Sequence, residues 1–338
     1  MSNPSDNKPF HLRYNTRFLQ ARPEDDLLHP DSFKDVKHDS ATETQYFGFS
    51  VPEANIHALT YMWHHPNLKV CSGGLYVFQG VKDAITHAEI CNWYQFMSDA
   101  CLKNDLHEFR FDNGYGVKLI EPLKLLHMTY DDPVTKSSVD LMFEGVQPAV
   151  MFDDGKHFEQ TMKVTGELVL RGKRYEVNCF NVRDRSWGKP RPEEQMELSP
   201  CSWITGVFNE DFAFGMTVFD HASKNPGPLA LPDDKAMMYG WVYRDGKLGR
   251  VVKASKRAIR QPRSTKCAGL ELQFTDDHGR EFNMSSTLVA SCPNTNWQNL
   301  FIVINLMRWD CDGLIGYGDN QEGFWTSYLN SESFLIGP

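Results

Sequence analysis

Residues 160–182 read QTMKVTGELVLRGKRYEVNCFNV. Apolar and polar side chains alternate through 160–170, Gly172-Lys173 breaks the run, and 174–182 returns with the same period of two. That period puts successive side chains on opposite faces of a strand. The stretch therefore predicts an antiparallel hairpin and not a helix.

Working outward, the same behaviour recurs. Strands are expected at 56–64, 74–79, 109–112, 117–121, 123–130 and 139–143 before the hairpin. After it they are expected at 203–208, 212–219, 237–243, 249–259, 270–275, 281–289 and 300–308. Asn113-Gly114, Asp245-Gly246 and Asp277-His278-Gly279 supply turn chemistry between them. Residues 82–103 can be read as helical, but Trp93, Tyr94 and Phe96 suit strands, which are preferred here. Many short strands at turn-punctuated spacing are an all-β signature, and their edges need closure. A chain of 338 residues exceeds what one core serves, about 250–300 residues. The expectation is two lipocalin-like antiparallel β-barrels side by side. An extended lead-in occupies 1–45, one barrel 46–188 and the other 189–338, with the Pro-rich segment 189–194 as connector.

Composition narrows the function classes. The net charge is −9, and the most basic stretch, KASKRAIRQPR at 253–263, alternates with apolar residues. It reads as the outer face of one strand, so no nucleic-acid partner is expected. No run approaches the ~20 apolar residues of a membrane helix, and the N-terminus lacks the apolar core of an export signal. The eight cysteines lack CxxC spacing and read as reduced, buried thiols of a cytoplasmic protein. No dinucleotide fingerprint, P-loop, nucleophile elbow or HExxH is present, so neither a cofactor nor a metal is expected. The oligomeric state is left open.

Residues 157–192, HFEQTMKVTGELVLRGKRYEVNCFNVRDRSWGKPRP, contain Arg183-Asp184-Arg185-Ser186-Trp187-Gly188. Further along come Trp309-Asp310-Cys311-Asp312-Gly313, then Gly316-Tyr317-Gly318 and Glu322. Near the start stand His65-Pro66-Asn67 and Gly73-Gly74-Leu75-Tyr76. In this order the segments resemble those of the carotenoid-hydratase and AttH-like family, in particular a branch bearing RDRSWG. The resemblance implies two calycin barrels and a hydrophobic small-molecule ligand. Related proteins hydrate isoprenoid double bonds or carry out pericyclic cyclisations. Where the hydratases have Asp-His-x-Trp-Gly, this chain has Arg185, which stays protonated and cannot shuttle a proton.

On an extended strand Arg183, Arg185 and Trp187 share one face and Asp184 takes the other. The apolar set switches faces near Cys179, which predicts a bulge or a bend there. Two readings of the charged group stay open: a hydrogen-bonded brace, or direct contact with ligand. In the second, Asp184 is the proton-transfer group, Arg183 and Arg185 hold an oxygen or anion, and Trp187 is a wall. His157, Trp203, Trp241, Tyr317 and Glu322 complete the candidate substrate-binding set. The expected activity is cofactor-independent acid–base chemistry on a terpenoid, steroid or polyketide-like molecule: hydration or dehydration (a lyase), isomerisation or cyclisation. The alternative is a binding or carrier protein without catalysis.

Overall fold

The structure, a computed structural model, describes residues 17–34, 41–152, 154–190, 199–227, 229–260, 264–297 and 299–331. The chain is nearly all β and divides into two compact units, Leu19–Glu193 and a second built on Glu194–Pro338. Most of the expected connector, from Arg191 onward, lies outside the described residues.

The first unit uses β1 (Phe18–Gln20), β2 (Ala41–Val51), β3 (Ile56–His65), β4 (Val70–Gln79), β5 (Ile90–Ser98), β6 (Leu102–Lys103) and β7 (Glu108–Arg110). It continues with β8 (Gly116–Glu121), β9 (Leu125–Asp132), β10 (Ser137–Gly145), β11 (Val150–Phe152), β12 (His157–Leu170) and β13 (Lys173–Pro190). The strand order is β5-β4-β3-β2-β13-β12-β10-β9-β8-β7-β6, with β11 also on β12 and β1 on β11. The sheet curls until Phe47, Met62, Leu75, Phe109, Met128, Phe143 and Val164 share a single core, but its ladder ends at β5 and β6 and is not a closed barrel.

The second unit is a closed eight-stranded barrel. Its strands are β14 (Cys201–Asn209), β15 (Phe212–Phe219), β16 (Met237–Arg244), β17 (Lys247–Arg260), β18 (Cys267–Asp276), β19 (Glu281–Trp297), β20 (Leu300–Cys311) and β21 (Leu314–Trp325). β21 returns to β14 through Ser202↔Glu322 and Ile204↔Asn320. Phe214, Met216, Phe274, Phe282, Met307 and Trp309 pack together inside it. Among the described residues no helix is long and apolar enough to cross a membrane, and no disulfide joins the cysteines.

Local chemistry sets the register. The two-residue connections Arg171-Gly172, Asp245-Gly246 and Asp312-Gly313 have φ of 51° and 83°, 51° and 75°, and 53° and 81°. Positive φ at both central positions is the type I′ geometry that matches strand twist. Thus the first hairpin turns at Arg171-Gly172, one residue earlier than its sequence suggests.

Three expectations are corrected. β2 begins at Ala41, inside the expected lead-in. The series of strands does not stop at residue 308, because β21 closes the barrel. The β12–β13 register runs unbroken past Cys179, and the irregularity falls between Ser186 and Lys189. Val177 and Val182 lie on opposite faces of β13 and are both buried, so apolar residues appear on both without a bulge.

Gly206 shows how tightly the rings of Phe214 and Trp309 pack. A Cβ there would collide with the Phe214 ring and come within 3.1 Å of Trp309. Gly206→Val should therefore lose about 1–3 kcal/mol by overpacking, measured as a lower urea midpoint with unchanged slope.

Candidate functional site

The two faces of β13 carry different chemistry. Arg183, Arg185, Glu43 and Gln45 continue the core face of the sheet. Arg183 is directly opposite Gln160, and Arg185 lies between Phe158 and Gln45. Arg183 donates two parallel hydrogen bonds of 2.8 Å to Asp26 and two more to Gln160 Oε1, at 2.8 and 3.1 Å. Asp26 ends a short 3-10 turn, Pro23–Asp26, and also accepts from the Leu123 amide at 2.7 Å. Burial alone would raise the Asp26 carboxyl, but Arg183, the amide and Arg185 outweigh it and hold it below the usual range.

Arg185 donates to Glu43 at 2.5 Å and to the carbonyls of Leu27 and Thr44. Glu43 also meets His29 Nδ1 at 2.9 Å, and His64 Nδ1 stands 3.9 Å away. Despite burial, Arg185 and the two imidazoles keep the Glu43 carboxyl far below its ordinary value. His29 stacks flat on Trp187 with centroids 3.8 Å apart. Trp187 belongs to a small cluster with Phe33, Met151 and Phe158. The oxygen-holding role expected for Arg183 and Arg185 does not fit this geometry, because each guanidinium is committed to a buried carboxylate. Trp187 is packed as core and is not a pocket wall.

Asp184 lies on the opposite face, directly across from Glu159 on β12 and Tyr46 on β2. Glu159 is fully buried, Asp184 is half-buried, and His157 Nε2 is 3.5 Å from Glu159 Oε1. From Tyr46 the same face continues as a row of rings, with Tyr46 and Tyr76 buried and Tyr61 and Trp93 half-buried. Tyr46 and Tyr61 have centroids 6.5 Å apart, Tyr61 and Trp93 6.3 Å, and Trp93 stacks on Tyr76 at 5.7 Å. Across the ladder Gly74 pairs with both Tyr61 and Trp93. A Cβ at Gly74 would strike the Asn92 carbonyl oxygen. The face thus joins two carboxyls and an imidazole to a run of rings.

In the second unit, Glu322 points into the barrel beside Ser202, whereas Tyr317, Trp203 and Trp241 alternate to the outer face. Within the second unit, the substrate-binding residues expected from sequence therefore do not share one face. His157 is in the first unit, Glu322 is inside the barrel, and Trp203, Trp241 and Tyr317 are on its outside.

The barrel interior also holds charges that sequence reasoning misassigned. Lys256, from the basic stretch read as an outer face, is fully buried opposite Leu272. Its ammonium is 2.9 Å from both Asp220 Oδ1 and Ser202 Oγ. Arg260 forks onto Asp220 at 2.9 and 3.0 Å and also meets Glu322. Burial raises the Asp220 carboxyl, but Lys256 and Arg260 overcome this and bring it down to about 2. Lys256, Ala258 and Arg260 form the inward set of β17, while Lys253, Arg257 and Ile259 face out. The alternation was legible, but its acidic partners, 36 residues before and 66 after Lys256, were not.

Fold and site together define an all-β, lipocalin-like chain with buried ion pairs in both units and an acid-and-aromatic face on one. The chain belongs to the family described as "Domain of unknown function (DUF7064)", whose model matches residues 22–322. Among solved structures it is similar to an AttH-like protein of Nitrosomonas europaea, with a TM-score of 0.60 and 12% identity over 92% of this chain and 97% of the other. It is also similar to kievitone hydratase of Nectria haematococca, with a TM-score of 0.52 and 10% identity over 95% and 99% of the two chains. None of the curated proteins matches in sequence. These likenesses extend the hydratase and AttH-like resemblance from short motifs to the fold of nearly the whole chain.

Breaking a buried pair strands a charge, so Asp26→Asn should lose about 3–5 kcal/mol. Asp26→Leu with Arg183→Met should recover most of it, read from urea midpoints. The folded-state pKa of Asp26 lies below 3.8 and that of Asp220 falls to about 2. Their contribution to stability is complete above about pH 4 and disappears as the pH falls toward 2. Urea midpoints at pH 7 and pH 5 should be alike with respect to these groups and drop steeply below pH 4.

Proposed function

We propose that this chain is an enzyme acting on a hydrophobic small molecule by acid–base chemistry of its own side chains, through hydration or dehydration, isomerisation or cyclisation. The observation that carries the reading is the cross-strand pair Glu159–Asp184, with His157 beside it and the Tyr46–Tyr61–Trp93–Tyr76 rings continuing the same face. An apolar substrate lies against the rings. A carboxyl next to a second carboxyl and an imidazole has partners from which to take a proton and to which it returns one. In this reading Asp184 gives a proton to an alkene or takes one from a carbon, and Glu159 and His157 restore it. A developing cation is favoured by the π faces of Tyr61 and Trp93. Arg183 and Arg185 act at one remove, by locking the strand that presents Asp184. That one structural neighbour is named a hydratase supports the reaction class.

Carriage without chemistry needs only the aromatic face. The substrate class is proposed as terpenoid, steroid or polyketide-like, in line with the RDRSWG resemblance.

Asp184→Asn preserves shape but cannot give up a proton. Screened against isoprenoid and polyphenolic alkenes, the wild type should convert at least one, and the variant should lose ~10²–10⁴-fold in kcat while binding within about three-fold of wild type. Full turnover by Asp184→Asn would remove the residue from the chemistry.

A further inference from the structure

Inside the closed barrel of the second unit, Asn305 on β20 and Asn320 on β21 are directly opposite each other and fully buried. Asn305 spends its amide N–H groups on the main-chain oxygens of Asn320, at 2.9 Å, and Val303, at 3.3 Å. Asn305 Oδ1 is left without a partner, as are both side-chain atoms of Asn320 and Glu322 Oε2. Glu322 stands two residues beyond Asn320 on the same face of β21, and Ile204 lies across from Asn320 on β14. Leaving so many buried polar atoms unmet is unfavourable. Folding alone gives no reason to place an Asn pair where Leu or Val would pack.

We infer that the barrel interior is a second binding site, which takes a neutral, mostly apolar molecule bearing a hydroxyl group, with that hydroxyl held between Asn320 and Asn305 or Glu322. The chemistry of the unmatched atoms selects the ligand. Whichever way its amide is turned, Asn320 offers one donor and one acceptor, while Asn305 Oδ1 and Glu322 Oε2 only accept. A hydroxyl both donates and accepts, and so meets both sets. The nearby charges cancel, because Lys256 and Arg260 are matched by Asp220 and Glu322; a net charge on the ligand would be unanswered. Beyond these polar groups the barrel interior is apolar. Met216, Met284 and Met307 line it, and unbranched methionine side chains re-pack readily around a guest. An eight-stranded barrel is of the size that encloses one small ligand.

This site is separate from the Glu159–Asp184 face and does not depend on the role proposed there. The test uses the full chain with 2-naphthol, and with naphthalene as the probe lacking the hydroxyl, followed by quenching of tryptophan fluorescence (Trp309 lies in the interior). Wild type should bind one 2-naphthol saturably and at least about ten-fold more tightly than naphthalene. Asn320→Leu should erase that preference and leave Tm no lower. Asn305→Leu should reduce the preference likewise and serves as the second variant if Asn320→Leu fails to fold. Asp184→Asn should leave 2-naphthol binding unchanged, which separates this site from the acid face. No saturable binding of 2-naphthol, equal affinity of wild type for the two probes, or a full preference retained in a folded Asn320→Leu or Asn305→Leu would overturn the inference, as would loss of 2-naphthol binding in Asp184→Asn.

Discussion

A guanidinium removed from water costs several kcal/mol unless a carboxylate goes with it and the remaining N–H groups find acceptors. The first unit meets that condition twice within three residues of one strand. Arg183 takes Asp26 and Gln160, and Arg185 takes Glu43 with two main-chain carbonyls. Such pairs add little to stability compared with a well-packed apolar interior. Their effect is to make the alternatives expensive. A slip of β13 by one residue would carry both arginines to the other face and away from their partners. The register that satisfies the arginines is also the one that sets Asp184 opposite Glu159.

β13 therefore divides its work by parity. Odd-numbered residues, from Val177 through Cys179 to Arg183 and Arg185, serve the core of the curled sheet. Even-numbered residues, Val182 and Asp184, face the side that carries Tyr46, Tyr61 and Trp93. Burial on both faces explains why β2 is buried along its whole length although it reads ATETQYFGFSV. Its Glu43 answers Arg185 on one face, while on the other Thr44 shares a hydroxyl contact of 2.8 Å with Ser186.

The fold class was legible because alternation and turn chemistry are local properties. Residues 160–182 announced their hairpin, and Asp245-Gly246 its turn. What escaped was whatever depends on a distant partner. β2 looked like lead-in because Thr42, Glu43 and Gln45 are polar, and their burial makes sense only beside Arg185. β21 was passed over because its inward residues are Gly316, Gly318, Asn320 and Glu322, none of them apolar. Lys256 and Arg260 were read as solvent-facing, since nothing near 253–263 reveals Asp220 or Glu322. The opposite-face placement of Asp184 followed from strand geometry alone, but the company it keeps did not, because Glu159 and Tyr46 become its neighbours only through register.

The Arg183–Asp26 pair spans 157 residues of chain. As the polypeptide leaves the ribosome, Asp26 emerges first and can reach its final partner only after nearly the entire curled sheet has been made. Until then Asp26 lacks the guanidinium it pairs with, and the edge of β2 lacks its neighbour. Contacts of such long separation are slow to form. The nascent first unit therefore passes through a period when a hydrophobic sheet is present without the electrostatic clasp that seals it, which makes this the interval when it is most exposed to aggregation and in greatest need of a chaperone.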